Sequence, residues 1–315
     1  MKPKVSVLIP MRNAEPFIAS TLSSILLEKD VAIEVLVIDD KSTDGSLQRV
    51  RKIHDQRIKI IAGKGEGISS CLNIGLESIS GEIVMRCDAD DLYPEGRIRT
   101  QVEWLDAHPE YGAVCGGFST MDAAGCPVAR LDTGNAAEDI TTELNGGKTR
   151  TSFCTFALRT DIFDLLGGFR PYFVTAEDID FQLRLGEIAR VMYLPESFYF
   201  YRIHDASVTH TQGSRKRIFY EDKAREFLLQ RMTTGQDDLQ RGCPPEPPDA
   251  ATDKPGSSAK QIRGYLTAAA WQKHAQGDRF QALALGCRAL KQSPWDADSW
   301  RSFFALMLKP PGMTR

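Results

Sequence analysis

The feature that most constrains this chain is an alternation over its first 85 or so residues: short β-branched apolar runs are interleaved with apolar residues at helical spacing. Val5-Ser6-Val7-Leu8-Ile9, Ile33 to Ile38, Ile58 to Ile61 and Ile83 to Met85 are bounded by Gly, Asp or Pro and read as buried strands. Between them, Ile18, Leu22, Ile25 and Leu26 follow Pro16, and Ile68, Leu72, Leu76 and Ile79 repeat the helical pattern. Strand, helix, strand, helix predicts the α/β class, a doubly wound and mostly parallel sheet. Ligands of such sheets sit beyond the carboxyl ends of the strands, so the polar residues there are the candidates for chemistry.

Composition narrows the function classes. A formal charge of -3 over 315 residues gives no electrostatic footprint for nucleic acid. No apolar run reaches the roughly 18 to 20 residues that span a bilayer, and MKPKVSVLIPMRN lacks a signal-peptide pattern, so a cytoplasmic protein is expected. Seven cysteines without a C-x-x-C pair argue against zinc and thiol redox chemistry, and most are expected to be small buried hydrophobes.

Several motifs that such a sheet invites are missing. The turn after strand one, Pro10-Met11-Arg12-Asn13-Ala14, has no glycine cluster through which a backbone could approach a pyrophosphate. Gly63-Lys64-Gly65-Glu66-Gly67 puts Ile68 where the third glycine of a dinucleotide fingerprint belongs, and Gly147-Lys148-Thr149 would need its first glycine at Thr142. No G-x-S-x-G elbow or H-E-x-x-H pair occurs, which removes the serine hydrolase and zinc peptidase readings.

Carboxylates crowd the strand ends instead. Strand four runs into Arg86-Cys87-Asp88-Ala89-Asp90-Asp91. If extended geometry continues that far, Asp88 and Asp90 share a face. Such close charges need a cation, and hard oxygen ligands suit Mg2+ or Mn2+ shared with a diphosphate; an acidic turn or helix cap is the alternative. Asp39-Asp40 ends strand two ahead of the turn-forming Ser42-Thr43-Asp44-Gly45-Ser46. Thr175-Ala176-Glu177-Asp178 has the T-x-x-D spacing of a capping box opening a helix with Phe181, Leu183 and Leu185. At the end of Phe198-Tyr199-Phe200-Tyr201, Arg202 and His204 point to one face, where an arginine fork suits a diphosphate and an imidazole suits a metal.

The ordered blocks VSVLIPMRNAE, EVLVIDDKSTDGS, NIGL, GEIVMRCDADDLYP, GGFRPYF, AEDIDFQLRL and YRIH make the chain resemble the family 2 inverting nucleotide-sugar glycosyltransferases of the GT-A fold, over about residues 3 to 210. The resemblance implies a hexosyltransferase-type enzyme that moves a sugar from a nucleoside diphosphate, UDP foremost, to an acceptor hydroxyl with inversion. It places the donor on Pro10, Arg12, Asn13, Glu15, Asp39, Asp40, Asn73, Asp88, Ala89 and Arg202. Asp90 and His204 would hold Mn2+ or Mg2+, Asp178 would be the base, and Glu177 would position acceptor or base. Two departures bear on the donor: Arg12 stands where many relatives carry an aromatic residue, and Leu72 stands where they carry arginine before Asn73. Ser207, His210 and the basic Arg215-Lys216-Arg217 follow; the segment could fold over the donor, though the three charges read better as a solvated helix face.

Two rival classes remain. A sugar nucleotidyltransferase would need a glycine-rich first loop, which Met11-Arg12-Asn13 is not. A degenerate transferase acting as a scaffold is opposed by the intact aspartates, and donor hydrolysis with Mn2+ separates enzyme from scaffold.

The rest of the chain reads as appendage. The expected domains are a transferase domain over 1–231, an exposed Pro-rich linker over 232–258 with five prolines within 244–255, and a helical extension over 259–315. Ala268, Trp271 and Ala275, then Gly277-Asp278, then Ala282, Leu285, Ala289 and Leu290 resemble one tetratricopeptide-type hairpin, with Trp300 to Leu308 beginning a further helix. A lone repeat cannot bury its apolar face, so the tail is expected to pack on the catalytic domain or on a second subunit as a homo-oligomer. The acceptor, whether carbohydrate (as in polysaccharide biosynthesis), lipid-linked sugar or protein, would meet loops such as Asp122 to Gly147. A lipid-linked acceptor would bring the protein to the inner face of a membrane as a peripheral component.

Overall fold

The computed structural model describes residues 3–131, 133–206, 214–248 and 257–310. They form two units, each with its own core. The first contains residues 3–118, 133–200 and 215–248, and the second contains 119–131, 201–206 and 257–310. The units therefore do not follow the chain in the order 1–231, 232–258, 259–315: two internal segments join the C-terminal helices.

The first unit is built on a sheet. Its strands are β1 (Val5–Met11), β2 (Ile33–Asp39), β3 (Ile58–Ala62), β4 (Ile83–Arg86), β7 (Glu138–Asp139) and β8 (Ala157–Arg159), with most of β5 (Ala113–Asp122) and β9 (Val191–Ile203). The order is β3-β2-β1-β4-β8-β5-β9-β7, and β6 (Pro127–Leu131) pairs with β5. β1 to β4 are mutually parallel, in register Val5 to Ile33 and Ile83, while β8 runs antiparallel to β4. β1, β2 and β4 are buried nearly throughout, as strands covered on both faces must be. The order 3-2-1-4 reverses direction between β1 and β4, so the crevice of the sheet opens past Met11 and Arg86.

The helices of this unit are α1 (Ile18–Leu26), α2 (Ser46–Arg51), α3 (Ile68–Leu76), α4 (Arg97–Ala107), α5 (Thr141–Asn145), α6 (Asp161–Leu166), α7 (Glu177–Ile188) and α8 (Ser214–Thr234). The expected helices after Pro16 and Gly67 form, while α2 grows out of the turn chemistry at Ser42 to Ser46. α7 is seated on a ring cluster: Phe181 stacks on Phe169 at 4.7 Å and meets Phe153 edge-on at 5.1 Å, centroid to centroid. Four of the seven cysteines, Cys71, Cys87, Cys115 and Cys154, are buried in this unit.

The proposed exposed linker begins differently from expectation. α8 continues to Thr234, and the turns behind it are anchored in the first unit. Asp237 is fully buried between Arg170 and Arg231, each 2.6 Å away, and Tyr172 donates to the Pro245 carbonyl at 2.7 Å. Two arginines around one carboxylate outweigh the tendency of a polar, Pro-rich stretch to stay solvated.

The second unit holds α9 (Ser258–Ala275), α10 (Arg279–Gln292) and α11 (Ala297–Leu308), matching the three C-terminal helices expected. Gly277 makes the tight turn at φ +87°, and Asp278 and Asp296 cap α10 and α11 with their carboxylates. Ile262, Leu266 and Ala269 of α9 pack with Val128 and Ala129 of β6 and with Ile203, so the apolar face of the hairpin is covered by a β-ribbon of the same chain.

Candidate active site

The crevice past β1 and β4 is built first from two turns that lock together. Asn13, in left-handed conformation at φ +53°, accepts from the Thr43 amide at 2.8 Å, and its own amide donates to Ser42. Glu15 accepts from the Gly45 amide at 2.9 Å, and its amide donates to Asp44. Of the donor residues expected from the first block, Asn13 and Glu15 thus hold the β2–α2 turn, Pro10 lies within β1, and Arg12 is exposed at the strand's end.

Asp39 and Asp40 separate at the end of β2. Asp40 is buried, accepting from the Gly65 amide at 2.7 Å and the Gly67 amide at 3.2 Å. Both glycines have positive φ, so the glycine run that fails as a phosphate fingerprint wraps a carboxylate of its own chain. The structure thereby gives Asp40 a loop-building role and leaves Asp39, half-buried and accepting from the Ser42 amide, as the nearer donor candidate. Asn73 likewise has a structural role. Its side chain donates to the Phe169 carbonyl at 2.7 Å and accepts from the Phe169 amide at 2.8 Å, so it pins the Gly168-Phe169 turn.

At the end of β4 the extended geometry stops. The chain turns at Ala89 and Asp90, with the Asp91 amide donating to the Asp88 carbonyl at 3.1 Å, so the shared-face argument for Asp88 and Asp90 does not hold. Ala89 is buried, its carbonyl accepting from Thr21. Asp88 is held from both sides: its amide donates to the Tyr199 hydroxyl at 2.9 Å, and its carboxylate takes the Arg86 fork at 2.7 and 3.3 Å.

Arg86 completes the connection. Its other terminal nitrogen donates to Glu177 at 3.0 Å, so one buried guanidinium joins the end of β4 to the first residue of α7, 91 positions later. The capping box expected there does not form. The residue ahead of α7 is Ala176 at φ +60°, no side chain caps the helix, and Asp178 accepts from the adjacent Ile179 amide. That strained backbone sets Glu177 and Asp178 beside Arg86 and Asp88.

The electrostatics follow from burial. Loss of hydration raises Glu177 to about 7, against the pull of Arg86 and with a push from Asp178. Asp178 is raised by the same cause, while the charges of Arg86 and Arg217 draw it down. Arg217, read as part of a solvated face, is indeed exposed and paired with Glu221, yet its field reaches Asp178.

The remaining expected residues belong to the second unit. Arg202 is buried and donates to the Ala123 carbonyl at 3.1 Å, bracing the β5–β6 turn, and His204 is buried nearby in sequence. Ser207 and His210 lie outside the described residues. Among the described residues, no three His, Cys, Asp or Glu side chains are grouped so as to enclose a metal ion.

Two residues central to this arrangement were not among the candidates. Arg86 had a visible signal, a charge directly after the apolar run Ile83 to Met85, which a buried strand end tolerates only with partners. Asp180, fully buried, is clamped by Arg170 and Arg184 and fixes α7 from beneath.

A family model described as Glycosyl transferase family 2 matches residues 6–175. The chain is 32% identical over 193 residues to the putative glycosyltransferase EpsE of Bacillus subtilis (strain 168), covering 59% of this chain and 67% of that one. It is 30% identical over 102 residues to the UDP-Glc:alpha-D-GlcNAc-diphosphoundecaprenol beta-1,3-glucosyltransferase WfgD of Escherichia coli, covering 32% and 40%. An uncharacterized glycosyltransferase of Haemophilus influenzae is matched over 36% of its length and one of Rickettsia conorii over 17%, so the chain spans well under half of these relatives. Among solved structures, S. aureus TarS 1–349 in complex with UDP-GlcNAc shares the fold at TM-score 0.61 and 18% identity, over 92% of this chain and 82% of that one. The mannosyltransferase PcManGT of Pyrobaculum calidifontis, in complex with GDP-Man and Mn2+, does so at 0.52 and 20%, over 98% and 86%. With a family model over more than half of its length, and the mostly parallel GT-A sheet that the solved relatives share, the chain belongs to glycosyl transferase family 2.

Proposed function

We propose that the chain transfers a sugar from a nucleoside diphosphate, UDP by preference, to an acceptor hydroxyl with inversion at the anomeric carbon. The observation that carries this reading is the Asp88–Arg86–Glu177 bridge, which ties the strand-end carboxylate to the carboxylate pair that opens α7. Asp178 is the base. The acceptor oxygen bonds to the anomeric carbon as its proton passes to the Asp178 carboxylate, and the bond to the diphosphate oxygen breaks with its electron pair leaving on the diphosphate. Burial makes Asp178 a better proton acceptor than an exposed aspartate. Glu177, held by Arg86, fixes the position of Asp178, and Asp39 with Arg12 serves the nucleotide.

The donor set at the β4 end fits a hard divalent cation in kind. Asp90 brings a carboxylate to the turn behind β4, half-buried, and Mg2+ or Mn2+ is ordinarily held by one or two carboxylates plus substrate phosphates and water. Asp90 would hold the ion. When bound, such an ion supplies a Lewis acid for charge on the leaving group. Among the described residues no helix is long and apolar enough to cross a membrane. WfgD, by its name, uses UDP-Glc and a diphosphoundecaprenol-linked sugar, which supports a UDP donor and a lipid-linked acceptor here.

Asp178→Asn and Asp90→Ala should each abolish transfer. The Asn variant should still be stabilised thermally by the UDP-sugar that stabilises the parent chain with Mn2+. Turnover by Asp178→Asn would remove the base assignment.

A further inference from the structure

Helix α11 has two faces of unequal standing. Its inner face packs on the hairpin: the Trp271 indole donates to Ser302 at 2.9 Å, and a side chain at Gly286 would strike Phe303. The outer face, expected to be polar on a helix that borders solvent, carries Trp300, Phe304, Met307 and Leu308, all exposed and spaced for one side of a helix. The rings of Trp300 and Phe304 lie 5.8 Å apart. Trp295, in the turn leading into α11, is 97% exposed. Arg279 donates to the Met307 carbonyl, which brings exposed Phe280 to the C-terminal end of the same helix.

Charge says what this face meets. Residues 257–315 contain nine Lys and Arg, three Asp and no Glu, a net of +6 in a chain of formal charge -3. Lys291, Arg301 and Lys309 flank the apolar residues in sequence. Indole and phenyl groups beside basic side chains match the boundary between acyl chains and acidic headgroups, where both terms are favourable. A second copy would bring another segment of the same positive sign, not a complementary one. We infer that the outer face of α11, with Trp295 and Phe280, seats this unit on an anionic lipid surface. This gives the peripheral association expected from sequence a defined set of side chains, and it stands apart from the assignment of Asp178.

The test uses the full chain and vesicles. The protein should float with phosphatidylcholine vesicles that contain phosphatidylglycerol, stay behind with phosphatidylcholine alone, and be released as salt is raised. The combined variant Trp300→Ser, Phe304→Ser, Leu308→Ser alters only exposed positions, which circular dichroism verifies, and should bind at least about tenfold more weakly. Lys291→Glu with Arg301→Glu should weaken binding similarly. Asp178→Asn should float like the parent, so loss of docking and loss of the transferase reading are seen separately. Equal flotation of parent and serine variant, or equal flotation on neutral vesicles, overturns the inference. So does a parent dimer that the serine variant converts to monomer without any vesicle binding, which would assign the face to a second copy.

Discussion

Arg86 shows how one side chain can organise a site. It is the only group among the described residues that bonds both Asp88 and Glu177, and burial of Glu177 makes that bond the main pull toward its charged form. Arg86→Ala should destabilise the chain by about 3–5 kcal/mol in urea unfolding, because it strands a buried charge. Arg86→Lys should fold better, but a single ammonium cannot fork Asp88 and reach Glu177 together, so kcat should fall by at least about tenfold. Glu177 sets a pH dependence whose sign follows from its environment. Its ordinary value of 4.5 rises to about 7 on burial, so between those limits the folded chain keeps a proton that the unfolded chain has released. Stability therefore declines as pH rises through that window, by up to about 3 kcal/mol. Urea midpoints at pH 5 and pH 8 should differ in the parent chain and converge in Glu177→Gln. At this scale the sequence displayed which residues could do chemistry but not their partners. Asp40 and Asn73 matched their motif positions as well as Asp88 did, and only three-dimensional contacts reveal that both are bonded to backbone.

Elements carried the more legible part. β1 to β4, α1 and α3 are each announced by a local period, and for β1, β2 and β4, buried on both faces, such runs have little else to become. β3, expected to be buried, instead lies at the sheet's edge with none of its residues buried. What local pattern could not announce was the start of α7. Thr175 offered a capping box, yet the turn before the helix is fixed by tertiary contacts, chiefly the ring stack beneath Phe181 and the clamp on Asp180. The clamp belongs to a chain of charge running from buried Asp180 through Arg170 and buried Asp237 to Arg231 and, at the surface, Glu187. Asp180→Asn should therefore loosen the N-terminal turn of α7 and cost about 3–5 kcal/mol, read from urea unfolding. Transfer should fall as well, although Asp180 is remote from solvent, because Glu177 and Asp178 ride on the same turn. Unaltered stability and rate would show that the rings alone seat the helix.

At the scale of the whole molecule the chain is two cores rather than one. Phe153, Phe156, Phe169 and Phe181 belong to the larger, and Ile203, Ile262, Leu266 and Ala269 to a smaller one that draws on segments far apart in sequence. The linear domain order expected from the prolines could not anticipate this, because residues 119–131 and 201–206 carry no compositional mark that separates them from the strands they extend. Three of the four tryptophans, Trp271, Trp295 and Trp300, lie in the second unit, and Trp104 lies in the first. Tryptophan emission therefore reports mainly on the helical unit, while far-ultraviolet circular dichroism reports on both. Leu266→Ala removes a fully buried side chain from the smaller core and should lower the stability read by emission by about 2–5 kcal/mol. Thermal stabilisation by a UDP-sugar should persist in that variant, since Arg12 and Asp39, the residues proposed to serve the nucleotide, are in the larger unit. Loss of that stabilisation would overturn the assignment of the nucleotide site to the larger unit.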